Sequence, residues 1–336
     1  MPTLPELVYP GVWCVPTPLP FGPPEINSYL VETEDGWLLI DTGIDAAVTL
    51  QSIAQTGISP HRIQAILVSH IHPDHSAAAL SLQRACNGAP LWMHRLESDL
   101  SLFLSDRGAA TARLAETMHR SGVAIQTQEA ILKNYQRLLH VFPRLEPDCA
   151  LQDGTQFETS IGPLCAVVTP GHSPGHICLY APQRRLLFSG DHLLETITPH
   201  IGWLPGYDSL GDYLATVDRL AELEVDLVFP SHGRPFAQHR NVLARAPEHH
   251  AARCGAICAW LSRGTETAAE LIEKLWPREL PALDYQLALL EVLAHLVYLE
   301  KRDMIRRVRR DDAVEVWQLI SGNSQQESGV FSEQGA

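Results

Sequence analysis

The sequence predicts a layered α/β or α+β fold in which helices cover the sheets. Strand-like segments at 12–15, 28–31 and 37–40 follow one another closely near the N-terminus, and a hairpin-type break separates the last two. An amphipathic segment at 46–55 and an apolar run at 63–68 then begin an alternation of helix and strand. Such a mixture of hairpins and crossovers is typical of layered α/β and α+β domains.

Residues 105–147 interrupt this alternation. The segments 109–119 and 129–139 are both helical in period, with no strand signal between them, so we interpret this region as an inserted helical hairpin. Before the insertion we predict a helix at 77–84, a strand at 91–94 and a helix at 96–104; after it, strands at 155–158, 164–168, 177–181, 185–189 and 227–230 and a helix at 212–223.

The strand signal nearly vanishes beyond Pro235. Helical patterns cover 240–262, 267–276 and 285–299, and a basic turn leads to one alternating strand at 314–319. Three helices followed by a short β element predict a small winged-helix-like module. The predicted organisation is a large domain over 1–240, a winged-helix-like domain over 241–320 and a disordered tail over 321–336.

The composition is that of an acidic globular chain. Its 336 residues carry 25 lysines and arginines against 39 aspartates and glutamates, a formal net charge of −14 that repels polyanions on average. A nucleic-acid partner is therefore disfavoured, although the basic cluster at 301–310 leaves it open. We interpret that cluster as a solvated turn or a dimer contact in preference to an RNA-binding surface, so a homodimer also stays open.

We expect a cytoplasmic protein with no membrane partner. The N-terminus lacks a basic region followed by an apolar stretch, and the most apolar run, 285–299, is interrupted by polar residues. The seven cysteines are scattered and form no C-x-x-C pair, which is typical of reduced thiols in the core.

A cluster of metal-ligand side chains directly follows the apolar run at 63–68. It reads His70-Ile71-His72-Pro73-Asp74-His75. In an extended segment His70 and His72 share a face and can approach one ion, while Asp74 and His75 in the following turn can reach a second. Four candidate ligands within six residues predict a metal site far more specifically than a lone histidine does.

Three further strands end in a candidate ligand beside a glycine. His172 follows 164–168, Asp191 follows 185–189 and His232 follows 227–230. Each alone would more often be an ordinary loop residue, but glycine lets the backbone turn tightly at such a position. Together with the first cluster they supply five histidines and two aspartates from one edge of a sheet.

This combination resembles the metallo-β-lactamase fold superfamily of metallohydrolases, with its H-x-H-x-D-H motif and downstream His, Asp and His. The resemblance extends over roughly 12–240. It implies an αββα sandwich with the site at the sheet edge, here with the helical insertion and the small C-terminal winged-helix-like helical domain. It also implies one metal on His70, His72 and His172, a second on Asp74, His75 and His232, and Asp191 bridging both, with Asp74 and Asp191 assigned to catalysis.

Nitrogen and oxygen ligands without cysteine suit two divalent ions. Zn²⁺ is favoured, and Mn²⁺ or Fe²⁺ are alternatives because geometry and supply select among them. A bound water becomes hydroxide near neutral pH, and a second ion takes up the charge that develops on the substrate. The expected reaction is hydrolysis of an ester, thioester, amide or phosphodiester.

Other residues near the motif receive weaker assignments. His192 adjoins Asp191 and is a candidate for supporting a ligand or contacting substrate, and His200 lies in a loop expected to border the pocket. The G-x-S-x-G pattern around Ser173 matches a serine nucleophile elbow, but a strand rather than a helix is predicted after it, so we do not assign it.

We predict a dinuclear hydrolase that uses a metal-bridging hydroxide on a small ester or thioester substrate, of which hydroxyacylglutathione-like thioesters are one case. The C-terminal module resembles that of β-lactamase-like proteins that include an endoribonuclease and thioesterases. A metal-dependent endoribonuclease or phosphodiesterase is therefore the alternative enzyme. A non-catalytic interaction protein that uses the winged helix is the alternative of another class, and the intact ligand set argues against it.

Overall fold

Two β-sheets pack face to face, and helices cover their outer faces. A computed structural model describes residues 3–20 and 22–320, so the tail predicted to be disordered, 321–336, lies outside the described residues. Within the described chain the first sheet has seven strands in sequence order: β1 (Glu6–Tyr9), β2 (Val12–Pro18), β3 (Glu25–Glu32), β4 (Trp37–Ile40), β5 (Ile63–Val68), β6 (Leu91–His94) and β7 (Cys149–Leu151).

The second sheet of the described chain has five strands in the spatial order β12-β11-β10-β9-β8. They are β8 (Gln156–Phe157), β9 (Leu164–Val168), β10 (Ile177–Ala181), β11 (Leu186–Gly190) and β12 (Leu227–Pro230). Strands β4 to β7 run parallel, as do β11 and β12, whereas β1 to β4 and β8 to β11 pair antiparallel. Ten of these twelve strands coincide with predicted strand segments, whereas β1 and β7 were not predicted.

The helices of the first two thirds of the chain take up the crossovers and the insertion. They are α1 (Ala46–Gln55), α2 (Pro73–Ser76), α3 (Ala79–Ala85), α4 (Arg95–Ser105), α5 (Arg107–Arg120), α6 (Ile125–Leu139) and α7 (Ser209–Ala221), with a 3₁₀ turn at Pro60–Arg62. Asp45 caps the N-terminus of helix α1, and its side chain accepts hydrogen bonds from two backbone N–H groups of the first turn. Helices α5 and α6 are the predicted helical hairpin.

Alternation of apolar side chains along the strands builds the layers. In β5, Leu67 faces the second sheet with Phe188 of β11, while Ile66 faces outward and packs near Leu82 of α3. On the far side of the second sheet, Val167 packs in the same cluster as Val217 of α7. Helix, sheet, sheet and helix therefore stack in that order, which confirms the expected αββα sandwich.

The C-terminal region consists of helices and one β-hairpin. They are α8 (His239–Leu243), α9 (Arg245–Leu261), α10 (Ala268–Leu275), α11 (Ala282–Glu300), β13 (Ile305–Arg309) and β14 (Glu315–Leu319). The order of helices followed by a short β element agrees with the sequence pattern, and the description of this region as a winged helix stays a prediction, as does the boundary at 240.

Two details of this region differ from the sequence prediction. The helix predicted over 240–262 is two helices, because Pro247 has no N–H to bond the carbonyl of Leu243 at the junction. The basic segment 301–310, predicted as a turn, contains strand β13, which pairs antiparallel with β14. Most of β13 is exposed and consists of arginine. The alternation of apolar and polar residues that ordinarily predicts a strand is therefore weak in this segment.

Helix α11 joins the C-terminal region to the rest of the molecule. By length and composition it is the one helix of the described chain that could cross a membrane, and half of that apolar stretch is buried inside the protein. Leu289, Val292 and Leu296 lie in the same hydrophobic cluster as Met118 of α5 and Val167 of β9. One core thus extends through the insertion, the second sheet and the C-terminal helices.

Candidate metal centre

The fold brings all seven predicted ligands together at one edge of the sandwich. The motif begins where β5 ends, and Asp191 and His232 follow the parallel strands β11 and β12, whose C-terminal ends meet at the same edge. His172 follows β9, which runs in the same direction as β11 because both pair antiparallel with β10. The order and direction of the strands therefore bring ligands that are far apart in sequence close together in space.

The first group of ligands consists of His70, His72, His172 and Asp191. The Nδ1 atom of His72 lies 2.9 Å from Nε2 of His70 and 2.9 Å from Nε2 of His172, and those two Nε2 atoms are 3.2 Å apart. One oxygen of Asp191 lies 3.6 Å from Nε2 of His172. His72 is partly exposed and the other three are buried, so solvent reaches the group from the side of His72.

The second group consists of Asp74, His75 and His232. One carboxylate oxygen of Asp74 lies 3.4 Å from Nε2 of His232 and 3.8 Å from Nε2 of His75. All three side chains are buried. Asp74 and His75 belong to α2, and the ring of His75 also lies beside that of His70, with the ring centroids 4.0 Å apart, so the two groups adjoin.

Asp191 lies between the two groups. The oxygen Oδ2 is 3.4 Å from Nε2 of His75 and 3.6 Å from Nε2 of His172, and Oδ1 is 3.5 Å from Nε2 of His232. A single carboxylate therefore touches ligand atoms of both groups. This is the placement that the resemblance implied for a bridging aspartate.

Hydrogen bonds on the outer side of the rings fix which nitrogen faces inward. His172 donates from Nδ1 to the carbonyl of His200 at 2.8 Å, and His232 donates from Nδ1 to the carbonyl of Glu25 at 2.8 Å. A carbonyl oxygen can only accept a hydrogen bond, so Nδ1 of each ring carries a proton. In the neutral form of the ring, Nε2 then carries no proton and presents its lone pair to the site. Such outer partners also hold metal-binding histidines in orientation.

The residues present fit two cations. Inward-facing nitrogen lone pairs and carboxylate oxygens repel one another unless a positive charge lies between them. Nε2 of His75 and Oδ1 of Asp191 are moreover buried without a hydrogen-bond partner in the described chain, which is costly for polar atoms. Histidine nitrogen with carboxylate oxygen is a donor set that suits Zn²⁺, and it also suits Mn²⁺ or Fe²⁺.

Electrostatics separate the two groups. Burial lowers the pKa of His70 well below its ordinary value, and burial lowers the pKa of His72 to about 4 and that of His172 to about 3. Neighbouring rings lower the pKa of His70 and His172 further. The three histidines of the first group are therefore neutral at neutral pH, the form of imidazole that binds metals.

The second group is dominated by the carboxylates around its rings, which are its own Asp74 together with Asp191 and Asp41. Burial opposes a charge on His75 and His232, yet the neighbouring carboxylates raise the pKa of His75 well above its ordinary value and that of His232 to about 9. In turn, and against the effect of burial, the charged rings hold the pKa of Asp74 and Asp191 below the ordinary value. Without a metal ion, protons on the rings thus balance the negative charge at this position.

Asp41 is a supporting residue that the sequence analysis missed. It follows β4, is buried with φ +58°, and accepts hydrogen bonds from the backbone N–H of Ser69 at 2.8 Å and from Nδ1 of His75 at 2.8 Å. It thereby directs Nε2 of His75 toward Asp74 and Asp191. The sequence offered one indication of this role: Asp41 directly follows β4, which is parallel to β5 and therefore ends at the same edge of the sheet.

Glu97 is the second missed residue. It lies in α4 and is fully buried; one oxygen accepts from the N–H of Ile71 at 2.8 Å and the other from the N–H of Gly175 at 2.6 Å. Burial raises its pKa, and the two N–H groups oppose that effect. One carboxylate thus joins the loop of His70 and His72 to the loop that follows His172.

His176 is the third missed residue. Its ring contacts the hydroxyl of Thr169 at 2.7 Å through Nδ1, and its Nε2 accepts from the backbone N–H of Asp191 at 3.2 Å. The ring is buried and lies behind the ligands. It anchors the backbone from which Asp191 projects.

Glycines precede two of the ligands because no larger residue fits. Gly171 has φ +137°, and a Cβ there would lie 2.5 Å from Cα of Tyr213. Gly190 has φ +51°, and a Cβ there would lie 2.5 Å from Nε2 of His176. The predicted tight turns before His172 and Asp191 are therefore present.

His192 and His200 occupy different surroundings. The His192 ring is fully buried between the rings of His176 and Tyr213, at 5.7 and 4.8 Å. His200 is partly exposed; its carbonyl accepts from His172, and its ring lies 3.0 Å from the carbonyl of Leu287 in α11. Both adjoin the ligands, and a contact of either with substrate stays a prediction.

The loop around Ser173 is not a nucleophile elbow. An elbow requires a helix after the serine, and here strand β10 begins at Ile177. The strand predicted after the motif is thus present, and the motif is part of the loop that carries His172.

The sandwich and its cluster of histidines and aspartates define a metal-dependent hydrolase. The family model of the metallo-beta-lactamase superfamily matches residues 21–232, and that of the metallo-beta-lactamase-like C-terminal domain matches residues 254–319. The chain therefore belongs to the metallo-beta-lactamase superfamily, as its motif indicated.

Similar proteins agree with this family. A human acyl-coenzyme A thioesterase, MBLAC2, is 26% identical over 245 residues, which cover 69% of this chain and 80% of the relative. Among solved structures, a beta-lactamase domain protein from Burkholderia ambifaria has a TM-score of 0.82 at 27% identity and covers 94% of each chain. A metallo-beta-lactamase family protein from Thermus thermophilus has a TM-score of 0.79 at 27% identity, over 93% of this chain and all of the other.

Proposed function

We propose that this protein is a two-metal thioesterase. The observation that carries the proposal is the pair of ligand groups joined by Asp191, on a chain whose relatives include an acyl-coenzyme A thioesterase. His70, His72, His172 and Asp191 would hold one ion, and Asp74, His75, His232 and Asp191 the other. When bound, the ions would supply a nucleophilic water at neutral pH and stabilise the negative charge that develops on the substrate oxygen.

The chain's own residues prepare the site for this chemistry. Asp41 and the carbonyls of Glu25 and His200 orient three ligand rings, so little reorganisation is needed during reaction. Burial of all ligands except His72 excludes bulk water from the inner side of the centre. A substrate therefore approaches from the side of His72.

Thioesters are preferred over the other classes that such a centre can hydrolyse. Support comes from the named activity of the human relative, whereas nothing in the described chain favours glutathione as the thiol. The arginines of β13 are the feature of the chain that would suit RNA. One of them, Arg307, is already paired with the carboxylates of Glu300 and Glu315, which compete with phosphate groups for it. The nuclease therefore has no comparable support.

The test is a comparison of substrates on metal-loaded protein. Purified protein is stripped with a chelator, reloaded with Zn²⁺, Mn²⁺ or Fe²⁺, and offered an acyl-coenzyme A, an acylglutathione, a p-nitrophenyl ester, bis-p-nitrophenyl phosphate and RNA. We expect thioester hydrolysis that requires metal and disappears in His72→Ala. His61→Ala, which changes an exposed histidine outside the centre, serves as the matched control. Cleavage of RNA or the phosphodiester without thioester cleavage would contradict the proposal.

A further inference from the structure

A cavity separate from the metal centre lies between the insertion and the C-terminal region. Its volume is about 520 Å³, within the range of sites for small molecules. Residues of α5, the loop 203–207, the last turn of α11 and β13 form its walls. We refer to it as the α5–α11 cavity. Two parts of the chain that contribute no metal ligand of their own thus build one recess together.

The walls carry an excess of positive charge in an acidic protein. Four basic residues face two acidic ones among the lining side chains, although the whole chain has a formal net charge of −14. They are Arg113, Arg120, Lys301 and Arg307 against Glu116 and Glu300. Such a local field attracts anions.

Two of these basic side chains form no close ion pair within the described residues, and the one carboxylate on which Lys301 acts is Asp212, whose pKa, raised by burial, it partly lowers. Arg120 pairs with Glu315, and Arg307 lies 3.1 Å from Glu300. Within the described residues, neither Arg113 nor Lys301 has a carboxylate within 4.0 Å. These two cations, one on each side of the cavity, are therefore available for a ligand's anionic groups.

The cavity also offers flat aromatic surfaces. Trp203 and Tyr207, from the loop that follows His200, line it and are both partly exposed. Cations combined with aromatic faces are the features that bind a base and its phosphates. A purely apolar or purely anionic ligand would use only half of these features.

A continuous segment connects the cavity to the metal centre. The carbonyl of His200 accepts from His172, the ring of His200 lies 3.0 Å from the carbonyl of Leu287, and the N–H of Trp203 donates to the carbonyl of Leu290 at 2.9 Å. Farther along the loop, Asp208 pairs with Arg302 at 3.1 Å. The loop thus runs beside α11 from the metal centre to the cavity.

The length of this path can be estimated from the helix. Leu287 lies beside His200, and Lys301 lies in the far wall of the cavity, about 21 Å away along α11 at 1.5 Å per residue, whereas the near wall at Trp203 is beside Leu290. A ligand that occupies both places must therefore be long, with an anionic aromatic end and a flexible arm. Coenzyme A has this construction, because a pantetheine arm separates its nucleotide from its sulfur, whereas glutathione has neither nucleotide nor arm.

We propose that the α5–α11 cavity binds the 3′-phospho-ADP end of a coenzyme A thioester whose acyl group reaches the metal centre. This proposal rests on the proposed thioesterase function. Arg113 and Lys301 bind phosphates, and the adenine ring stacks on Trp203 or Tyr207. The insertion and the C-terminal region are then the parts of the chain that select the carrier of the acyl group.

Binding of adenosine 3′,5′-bisphosphate, measured by calorimetry on the full chain, tests the cavity without any turnover. We expect binding that weakens at least tenfold in the double variant Arg113→Gln/Lys301→Gln. The matched control is Arg306→Gln/Arg309→Gln, which removes the same charge from exposed residues of β13 that do not line the cavity, and it should bind within twofold of the wild type. Absence of binding, or equal weakening in both double variants, would overturn the proposal.

Kinetics separate this proposal from the proposed function. In Arg113→Gln/Lys301→Gln we expect KM for an acyl-coenzyme A to rise at least tenfold, with kcat and the KM for the matching acyl-pantetheine unchanged. Hydrolysis of both thioesters with unchanged KM values in the variant would refute the cavity's role and leave the thioesterase intact. Tight nucleotide binding without cleavage of any thioester would instead refute the thioesterase, and with it the role of the cavity in carrier selection.

Discussion

Glu97 and Gly175 are joined by a 2.6 Å hydrogen bond in which a fully buried carboxylate of α4 accepts from a backbone N–H. The second oxygen of Glu97 accepts from Ile71, so this side chain spans the loops that carry His70 and His172. Helix α4 itself supplies no metal ligand. It nevertheless fixes the distance between two elements of the first ligand group.

Replacement of Glu97 by glutamine should therefore weaken metal binding. The amide keeps one acceptor oxygen but turns an NH₂ group toward a backbone N–H, so one of the two loops loses its anchor. We expect metal affinity to fall by about 10-fold to 100-fold, measured by competition with a chromophoric chelator. Glu129→Gln, an exposed position in α6, is the control. Unchanged affinity in Glu97→Gln would show that the loops hold their positions without it.

His232→Ala should reduce the metal content from two ions per chain to one. The substitution removes one of the second group's own ligands and leaves His70, His72 and His172 in place. Elemental analysis of protein dialysed against a limiting metal buffer measures the stoichiometry, with His61→Ala as control. Retention of two ions in His232→Ala would contradict the assignment of His232 as a ligand.

Gly171→Ala should destabilise the fold by at least about 2 kcal/mol. The residue combines a positive φ with a Cβ position 2.5 Å from the backbone of Tyr213, so both strain and a clash oppose the alanine. Gly255 in α9 is the matched control, because its added Cβ would meet no atom within 4 Å. Alanine there should be neutral or stabilise by up to about 1 kcal/mol. Denaturant unfolding of the two variants checks the difference.

The buried pair His250 and His295 should make the fold less stable in acid. Their rings approach to 3.1 Å between Nδ1 of His250 and Nε2 of His295, and burial, then the charge of His295, lowers the pKa of His250 to about 3. A lowered pKa means that the unfolded chain binds the proton first, so this contribution to stability is complete above about pH 6.5 and declines from there toward pH 3.

Comparison of two pH values isolates this effect. Between pH 7.5 and pH 5 the wild type should lose about 1–2 kcal/mol more unfolding free energy than His250→Gln, which cannot take up a proton. His119→Gln, at an exposed position, should lose as much as the wild type. An identical loss in wild type and His250→Gln would show that this histidine does not contribute.

The ligands were predictable because each follows a strand whose apolar pattern is strong. The pattern of β5 locates His70 and His72 at its end, and β11 and β12 do the same for Asp191 and His232. Parallel and antiparallel pairing then determines that these ends meet. Metal ligands at strand ends can therefore be predicted from the sequence wherever the strands themselves can be predicted.

The supporting residues could not be identified in the same way. Glu97 lies in an amphipathic helix where a glutamate ordinarily faces solvent, and only the packing of α4 turns it inward. Strand β7 has three residues and β13 is rich in arginine, so pairing with β6 and β14, rather than local pattern, makes them strands. Tertiary contacts thus decided what local propensity left undetermined.

The two contacts of His200 have a consequence for how this protein can change over time. Its carbonyl orients a ring of the metal centre, and its side chain contacts Leu287 of α11, which lies outside residues 21–232 of the family match. Exchange of the C-terminal region with that of a relative would therefore disturb His172 as well as the cavity. If the α5–α11 cavity selects the carrier as proposed, the reactivity of the metal centre and the choice of carrier are inherited together, and new specificity has to arise by substitutions that leave the contacts of His200 intact.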